Sequence, residues 1–256
     1  MQVLIGLGQR LTARAGAVAT RALRLAYPPQ CLTCDADVAT EGTLCPACWQ
    51  ITPFIAGLVC DGCGTPLPGA DEGVAVLCDD CHHIARPWGR GRAVMIYDDK
   101  ARQIVLGLKY RNRHDIAAPA GRWLTRTAAP LIRPDTLVAP VPLHWWRLFR
   151  RRYNQSATLS AALARATGLA HCPDLLVRRH HTGTQDGRTR DGRFANMAGA
   201  INAHPRRSGL LAGRHVLLVD DVMTSGATLA AAADACLAAG AQGVDVVVLT
   251  RVAREA

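Results

Sequence analysis

Long apolar runs are missing from this sequence. No stretch approaches the roughly 20 consecutive apolar residues that a membrane-spanning helix needs. The first residues also lack the basic region, compact apolar core and cleavage site of a secretory signal. We therefore expect a cytoplasmic protein with no transmembrane segment. Because the cytoplasm keeps thiols reduced, we expect its ten cysteines to serve other purposes than disulfide bonding.

Lysine is also scarce. It occurs only as Lys100 and Lys109, although the net charge is +10. Arginine therefore carries almost all of the positive charge, and its guanidinium makes bidentate contacts with phosphate. This composition indicates either a nucleic-acid or polyphosphate partner, or a solvated basic surface in the product of a GC-rich genome. Composition alone does not decide between the two.

The stretch from His215 to Leu229 carries the most specific motif. Its apolar run Val216–Val219 predicts a buried parallel strand. Asp220 and Asp221 follow at the carboxyl edge, where open α/β sheets bind ligands. Five residues at the start of the next predicted helix offer hydroxyls and free amides to a phosphate: Thr224, Ser225, Gly226, Ala227 and Thr228.

Two carboxylates beside a phosphate cradle suit a sugar phosphate. The acids of Asp220 and Asp221 can hold ribose hydroxyls or a bound Mg²⁺, while the amides hold the 5′-phosphate. We expect Gly226 to let the backbone turn close to the ligand. The alternative is a structural strand-to-helix turn with an accidental acidic pair.

Eight of the ten cysteines form four Cys-x-x-Cys pairs. They are Cys31 and Cys34, Cys45 and Cys48, Cys60 and Cys63, and Cys78 and Cys81. Two such turns complete a tetrahedral Zn²⁺ site, and four thiolates leave no position open for catalysis. We therefore expect two structural zinc sites. Sequential pairing of the turns gives two consecutive zinc ribbons, with interleaved pairing as the alternative.

From Arg92 onward, strands and helices alternate, which predicts a parallel α/β sheet. The expected strands are Ala93–Tyr97, Thr136–Val141, Leu175–Arg178, Val216–Val219 and Val244–Leu249. The expected helices are Lys100–Tyr110, Asp115–Ile132, Asn154–Gly168 and Ala227–Ala239. Residues 1–26 have the periodicity of an amphipathic helix, which either packs on its own domain or presents basic residues to a membrane or a partner.

Two further segments are candidates for contacts with pyrophosphate or nucleic acid. The first, residues 147–156, combines arginines with aromatic residues, a mixture that suits single-stranded nucleic acid or pyrophosphate. Its candidate contacts are Arg151, Arg152, Asn154 and Gln155, and Asn154 is also expected to cap the next helix. The second, residues 178–196, includes Arg193. It is either a loop that closes over a phosphate ester or an ordinary surface loop.

Together these residues resemble the ComF/GntX family. Besides the cysteine pairs and the Asp-Asp-x-x-Thr-Ser-Gly-x-Thr loop, three segments match: Leu108-Lys109-Tyr110, residues 151–155, and the set Gln185, Arg193 and Asn196. Arg152 departs from the pattern, because glycine is expected there. The resemblance implies a type I phosphoribosyltransferase-like parallel sheet flanked by helices and preceded by a small double zinc ribbon. The predicted domains are an N-terminal helix at 1–27, the double zinc ribbon at 28–90 and the phosphoribosyltransferase-like domain at 91–256.

The same resemblance implies phosphoribosyl pyrophosphate (PRPP) and Mg²⁺ as ligands. It also implies a role in DNA uptake, with single-stranded DNA and uptake proteins at the inner membrane as partners. Asp220 and Asp221 are then the candidate catalytic residues, and residues 224–228 bind the 5′-phosphate. Lys109, Arg151 or Arg193 would neutralise the pyrophosphate, whose negative charge develops during displacement.

Three functions fit these observations. They are an enzyme-like PRPP site, a module that binds single-stranded DNA in DNA uptake, and a phosphoribosyltransferase of nucleotide salvage. The first two are compatible on one chain. No segment is recognisable as a nucleobase hood, so turnover of PRPP and the acceptor stay open.

Overall fold

A computed structural model describes residues 27–34, 36–110, 113–143, 153–178 and 199–252. The chain divides into two compact units, Met1–Ile51 and Thr52–Ala256. This division falls inside the predicted zinc-ribbon segment, so the last two cysteine pairs belong to the unit that contains the sheet. The domain boundaries after residues 27 and 90 stay predictions. The helix predicted for residues 1–26 and the loop residues 179–196 lie outside the described residues.

The described residues form six α-helices and seven strands. The helices are α1 (Pro46–Ile51), α2 (Asp79–His83), α3 (Asp99–Tyr110), α4 (Ala117–Ala128), α5 (Gln155–Thr167) and α6 (Ala227–Ala238). The strands are β1 (Gly91–Ile96), β2 (Leu137–Pro140), β3 (Ala170–His171), β4 (Leu176–Arg178), β5 (Ile201–Ala203), β6 (His215–Met223) and β7 (Gly243–Arg251). Among these residues, no helix has the length and apolarity needed to cross a membrane.

Five parallel strands make up the main sheet, in the order β1-β7-β6-β2-β3. The central strands β6 and β7 are almost continuously apolar and buried, as parallel strands covered on both faces are. Strands β4 and β5 form a separate antiparallel pair. The predicted parallel α/β sheet is confirmed, but the expected strand Leu175–Arg178 corresponds to β4 and lies outside it. Strands β3 and β5, two and three residues long, are too short to show a period in the sequence.

Helices cover both faces of the main sheet. One face shares a core with α6, built from Leu218, Val246 and Val248 of the strands and Leu229 and Ala233 of the helix. The residues between them in the strands are also buried, and they belong to the opposite face because strand neighbours alternate. Helices α4 and α5 contact the sheet and each other but contribute nothing to the α6 core. The sheet is therefore the middle layer of three.

Strand β6 is longer than its apolar run predicts. It continues beyond Val219 to Met223, so Asp220 and Asp221 lie inside the strand instead of following it. The reason is pairing with β7, whose register sets Val248 beside Asp220 and Thr250 beside Val222. The sheet ladder therefore fixes the backbone of the acidic pair.

Gly121 marks the close contact between α4 and α5, and it provides a test of this packing. A Cβ built on Gly121 would lie 2.6 Å from Ala162 Cβ and 3.1 Å from the Ala162 carbonyl carbon. We expect Gly121→Ala to lower the free energy of unfolding by about 1–3 kcal/mol, because the helices must separate to admit the methyl group. Thermal unfolding measures the loss. Gly209→Ala is the control, since no atom lies within 4 Å of its built Cβ; equal melting temperatures for both variants would contradict the contact.

Candidate functional site

Asp220 and Asp221 are consecutive residues near the carboxyl end of β6, and each carboxylate has its own partner. Ser156 Oγ donates a hydrogen bond of 2.7 Å to Asp220 Oδ1. Lys109 Nζ lies 3.1 Å from Asp221 Oδ2. Lys109 is near the end of α3, where the Tyr153 hydroxyl donates to the carbonyl of the preceding residue. Helices α3 and α5 thus bring an ammonium and a hydroxyl to the two acids.

The surroundings of Asp220 raise the pKa of its carboxyl. Burial raises the pKa of Asp220 to about 7 and the charge of Asp221 adds to the rise, whereas the Ser156 hydrogen bond and Lys109 act against it. Below that pH the carboxyl is mostly neutral, and above it the carboxylate predominates. A cation bound at Asp220 would favour the carboxylate and displace the proton.

The start of α5 is held by Asn154, which the sequence predicts to be its cap. Asn154 Oδ1 accepts from the Ser156 backbone N–H at 3.1 Å, so the cap is confirmed. Its Nδ2 donates to the Val141 carbonyl at 3.0 Å, next to the end of β2. These bonds fix the first turn of α5 and with it the hydroxyl that contacts Asp220.

The turn after β6 contains the five predicted phosphate-binding residues, 224–228. Gly226 has φ of 83°, a left-handed conformation that glycine adopts without strain, and it precedes the first residue of α6. The first N–H groups of a helix have no acceptor inside that helix, and its positive dipole end favours an anion. Thr224 is exposed and Ser225 is partly exposed. Thr224 and Ser225 are therefore accessible to a phosphate from solvent, whereas Gly226 and Ala227 are buried and the Ala227 N–H donates to Ser225 Oγ at 3.4 Å.

The other side of this turn packs against two residues that follow the last cysteine pair. A Cβ built on Gly226 would lie 2.7 Å from Arg86 Nη1 and 3.1 Å from Trp88 Cη2. The Arg86 guanidinium lies over the Trp88 ring, 5.2 Å from its centroid. The motif predicts close approach of a ligand at Gly226. In the structure, Arg86 occupies the space that a side chain at position 226 would need.

The first cysteine tetrad comprises Cys31, Cys34, Cys45 and Cys48, whose sulfur atoms all lie within 4.8 Å of one another. Cys34 Sγ is 3.7 Å from Cys45 Sγ and 3.5 Å from Cys48 Sγ. A tetrahedral Zn²⁺ with Zn–S bonds of about 2.3 Å needs sulfur atoms about 3.8 Å apart. The Cys45 N–H donates to Cys31 Sγ at 3.3 Å, which favours a thiolate. The donor set therefore fits zinc.

The second tetrad comprises Cys60, Cys63, Cys78 and Cys81. Cys63 Sγ lies 3.7 Å from Cys78 Sγ, and the Cys78 N–H donates to Cys60 Sγ at 3.3 Å. Each tetrad combines two consecutive Cys-x-x-Cys pairs, which is the sequential pairing and not the interleaved one. None of the ten cysteines forms a disulfide bond. With four sulfur donors each, both sites suit structural zinc.

Arginines lie beside the sulfur atoms of the second tetrad. Arg251 Nη2 donates to Cys63 Sγ at 3.7 Å. Hydrogen bonds from Cys60 and Cys81 lower the pKa of the Cys63 thiol, and the charge of Arg251 lowers it further. A hydrogen bond from Cys60 raises the pKa of Cys81, and Arg86 acts in the opposite direction. Both guanidinium groups therefore favour thiolates, the form that binds metal.

The remaining predicted contacts divide into two groups. Arg151, Arg152 and Arg193 lie outside the described residues. Gln155 is only 1% exposed, and the partly exposed Asn154 uses its amide for hydrogen bonds to Ser156 and Val141. Their roles as pyrophosphate or nucleic-acid contacts stay predictions.

Three residues at the site have no individual role in the sequence-based prediction: Ser156, Arg86 and Arg251. Ser156 is the last residue of the candidate segment 147–156, but it is not among the candidate contacts chosen there. Arg86 and Arg251 reach the turn from positions 139 and 27 residues away in the chain. No local spacing marks them.

The fold and the two tetrads define a class, a double zinc ribbon joined to a phosphoribosyltransferase-type α/β domain. A model of the double zinc ribbon domain matches residues 22–82, and a model of the phosphoribosyl transferase domain matches residues 156–256. The chain is 32% identical over 234 residues to DNA utilization protein YhgH of Salmonella typhimurium, covering 89% of this chain and 99% of that protein. Competence protein F of Haemophilus influenzae is 28% identical over 217 residues, covering 78% and 87%. The chain belongs to the ComF family.

Solved structures are more distant. Glutamine PRPP amidotransferase from B. subtilis, complexed with ADP and GMP, is 19% identical with a TM-score of 0.38, covering 56% of this chain and 30% of that chain. So remote a likeness adds nothing to the family assignment. The family models and the sheet itself confirm the predicted fold class.

Metal content tests the two tetrads. We expect the purified chain to hold two zinc ions, one for each tetrad. Replacing Cys31 and Cys34 together by serine should leave one ion, because two remaining thiolates bind zinc weakly. Elemental analysis and a chromogenic chelator measure the content. The control replaces Cys172 and Cys236, which belong to neither tetrad; loss of zinc from that variant, or retention of both ions in the first, would contradict the assignment.

Proposed function

We propose that this chain binds PRPP, or a related sugar phosphate, together with Mg²⁺ at the carboxyl edge of β6. The observation that carries the proposal is the paired arrangement of Asp220 with Ser156 and Asp221 with Lys109, on the strand that leads into the turn before α6. Acids for a cation and a ribose, amides for a phosphate and an ammonium for a pyrophosphate are then adjacent. Membership of a family with a phosphoribosyl transferase domain supports the same ligand.

Each side chain has a distinct role in this proposal. Asp220 and Asp221 hold the ribose hydroxyls directly or through Mg²⁺, which supplies positive charge beside the pyrophosphate. Thr224, Ser225 and Thr228 offer hydroxyls to the 5′-phosphate, with the backbone of Gly226 and Ala227. Lys109 neutralises Asp221 in the ligand-free chain. When a bound cation neutralises Asp221 instead, the Lys109 ammonium can contact the pyrophosphate.

We further propose that the task of the chain is to handle single-stranded DNA during DNA uptake. Two kinds of relative support this: one is named a DNA utilization protein and the other a competence protein. The net charge of +10, carried mostly by arginine, supports contact with a phosphate backbone. Uptake proteins at the inner membrane are the proposed protein partners. Eight cysteines in metal-type tetrads support the reducing cytoplasm as the compartment.

A phosphoribosyltransferase of nucleotide salvage is the alternative function. It predicts that PRPP is consumed, with release of pyrophosphate, when a free purine or pyrimidine base is added. Binding of PRPP without consumption, together with affinity for single-stranded DNA, distinguishes the proposed function from that alternative.

Neutralising the acidic pair tests the PRPP site. We expect the double variant Asp220→Asn with Asp221→Asn to bind PRPP in Mg²⁺ at least about tenfold more weakly, since each lost charge-assisted contact is worth about 1.5–3 kcal/mol. Calorimetry or fluorescence titration gives the affinity. Asp234→Asn, an exposed acid on α6, is the matched control. Unchanged affinity in the double variant would show that the ligand binds elsewhere.

The pKa of Asp220 predicts how binding depends on pH. Since burial raises that pKa to about 7, the proton must leave before the carboxylate can hold a cation. Affinity for Mg²⁺ and PRPP should therefore rise between about pH 6 and pH 8, by up to about tenfold per unit below the pKa. In Asp220→Asn, the affinity should vary with pH only through the ionisation of PRPP itself. If the variant and the unmodified chain have parallel pH profiles, Asp220 does not titrate on binding.

Single-stranded DNA binding is tested by fluorescence anisotropy on zinc-loaded protein, with and without Mg²⁺ and PRPP. We expect affinity at low salt that falls steeply with added salt, because DNA binding releases counterions. A duplex of the same sequence is the control for strand preference. No affinity at low salt would overturn the DNA proposal, and a change in affinity on adding PRPP would link the two ligands.

A further inference from the structure

A single buried guanidinium joins the second tetrad to the turn after β6. Arg251 is the last residue of β7 and is 5% exposed. Its Nη1 donates to the Met223 carbonyl at 3.3 Å and to the Thr224 carbonyl. Its Nη2 donates to Cys63 Sγ at 3.7 Å. One side chain therefore contacts both a metal-site sulfur and two successive carbonyls of the turn.

Arg86 makes a second connection to the same turn. Its Nη1 donates to the Ser225 carbonyl at 2.7 Å. Its guanidinium lies over Trp88, which is 5% exposed. Trp88 Nε1 in turn donates to the Gly62 carbonyl at 2.7 Å, inside the turn between Cys60 and Cys63. The Ser225 carbonyl, which follows that of Thr224, is thus connected through Arg86 and Trp88 to the same zinc ribbon.

These contacts determine where the amides of the turn point. In a trans peptide, the carbonyl and the following N–H point in opposite directions, and the described peptide bonds include no cis bond. The carbonyls of Met223, Thr224 and Ser225 are held by arginines on the side of the tetrad. The N–H groups of Thr224, Ser225 and Gly226 therefore point away from it. Successive amides directed to one side are the arrangement that binds a phosphate.

An occupied tetrad would attract both arginines through its charge. Four thiolates around Zn²⁺ carry a net charge of about −2. Arg86 and Arg251 supply two positive charges beside it. Without the metal, the four sulfur atoms are no longer fixed around one centre, and Arg251 loses the fixed position of its Cys63 Sγ partner. The metal would thus hold the arginines, and the arginines hold the carbonyls.

We propose that Arg86 and Arg251 are positioning residues through which the second tetrad, when it holds zinc, sets the conformation of the phosphate-binding turn. The identity of the anion rests on the proposed function. The coupling between the tetrad and the turn does not, because it can be measured without any ligand.

Hydrogen exchange on the ligand-free protein tests the coupling itself. Cys78→Ser weakens the second tetrad, and Cys34→Ser weakens the first; both residues are only partly buried, which makes them a matched pair. We expect exchange of the amides of residues 223–229 to become at least about tenfold faster in Cys78→Ser and to stay unchanged in Cys34→Ser. Continued protection of Val216–Val219 shows that the sheet remains folded. Equal exchange of the turn in the two variants would overturn the proposal.

Conservative arginine variants separate positioning from stability. Arg251→Lys and Arg86→Lys keep the charge beside the tetrad, but one ammonium cannot replace the fork of a guanidinium. We expect zinc content to be retained, while affinity for PRPP in Mg²⁺ falls about tenfold, because a turn that has lost one charge-assisted hydrogen bond is less firmly held in the binding conformation. Arg92→Lys is the control, because Arg92 bonds to Asp61 of the same ribbon.

The outcomes of these experiments are distinguishable. If Arg251→Lys and Arg86→Lys bind PRPP as tightly as the unmodified chain, the positioning role is wrong and the proposed ligand stands. If the unmodified chain binds no PRPP, the proposed function is wrong, and hydrogen exchange of the turn still decides whether the tetrad and the turn are coupled.

Discussion

The parallel pairing of β6 with β7 is the constraint on which the rest of the site depends. It continues to the pair Met223 and Arg251, beyond the apolar part of both strands. This register fixes Asp220 and Asp221 within the ladder and sets Arg251 beside the turn that follows. The same edge of the sheet therefore carries the acids, the start of α6 and the guanidinium that holds the turn. A shift of one residue would move every side chain to the other face.

The second cysteine tetrad is part of the same structure. Cys60, Cys63 and Trp88 share one core with α6 and the central strands, so this ribbon is built into the α/β unit. Asp61 extends the connection, since it binds both Arg90 and Arg92 at the start of β1. Structural zinc usually folds a segment that has little core of its own. Here we propose that it also orients a binding loop, which gives a physical reason for a ribbon beside a phosphate site.

The sequence predicts those features that depend on residues close together in the chain. The sequential cysteine tetrads and the turn that leads from β6 into α6 follow from local patterns, and the structure contains both. The acidic pair differs, since it lies within β6 instead of after it. The extension of β6 to Met223 depends on β7, so an apolar run alone does not show it. Ser156, Arg86 and Arg251 contact residues 64, 139 and 27 positions away. Only the folded chain brings such pairs together.

Direct binding of PRPP to the zinc-loaded chain of 256 residues is the measurement that tests the central proposal most directly. Isothermal titration calorimetry with excess Mg²⁺, at a pH about one unit above the pKa of Asp220, should show saturable binding of one ligand per chain. Removal of Mg²⁺ should weaken it strongly, because the two carboxylates then face the phosphates without a cation between them. No saturable binding at about millimolar PRPP would contradict the proposed site.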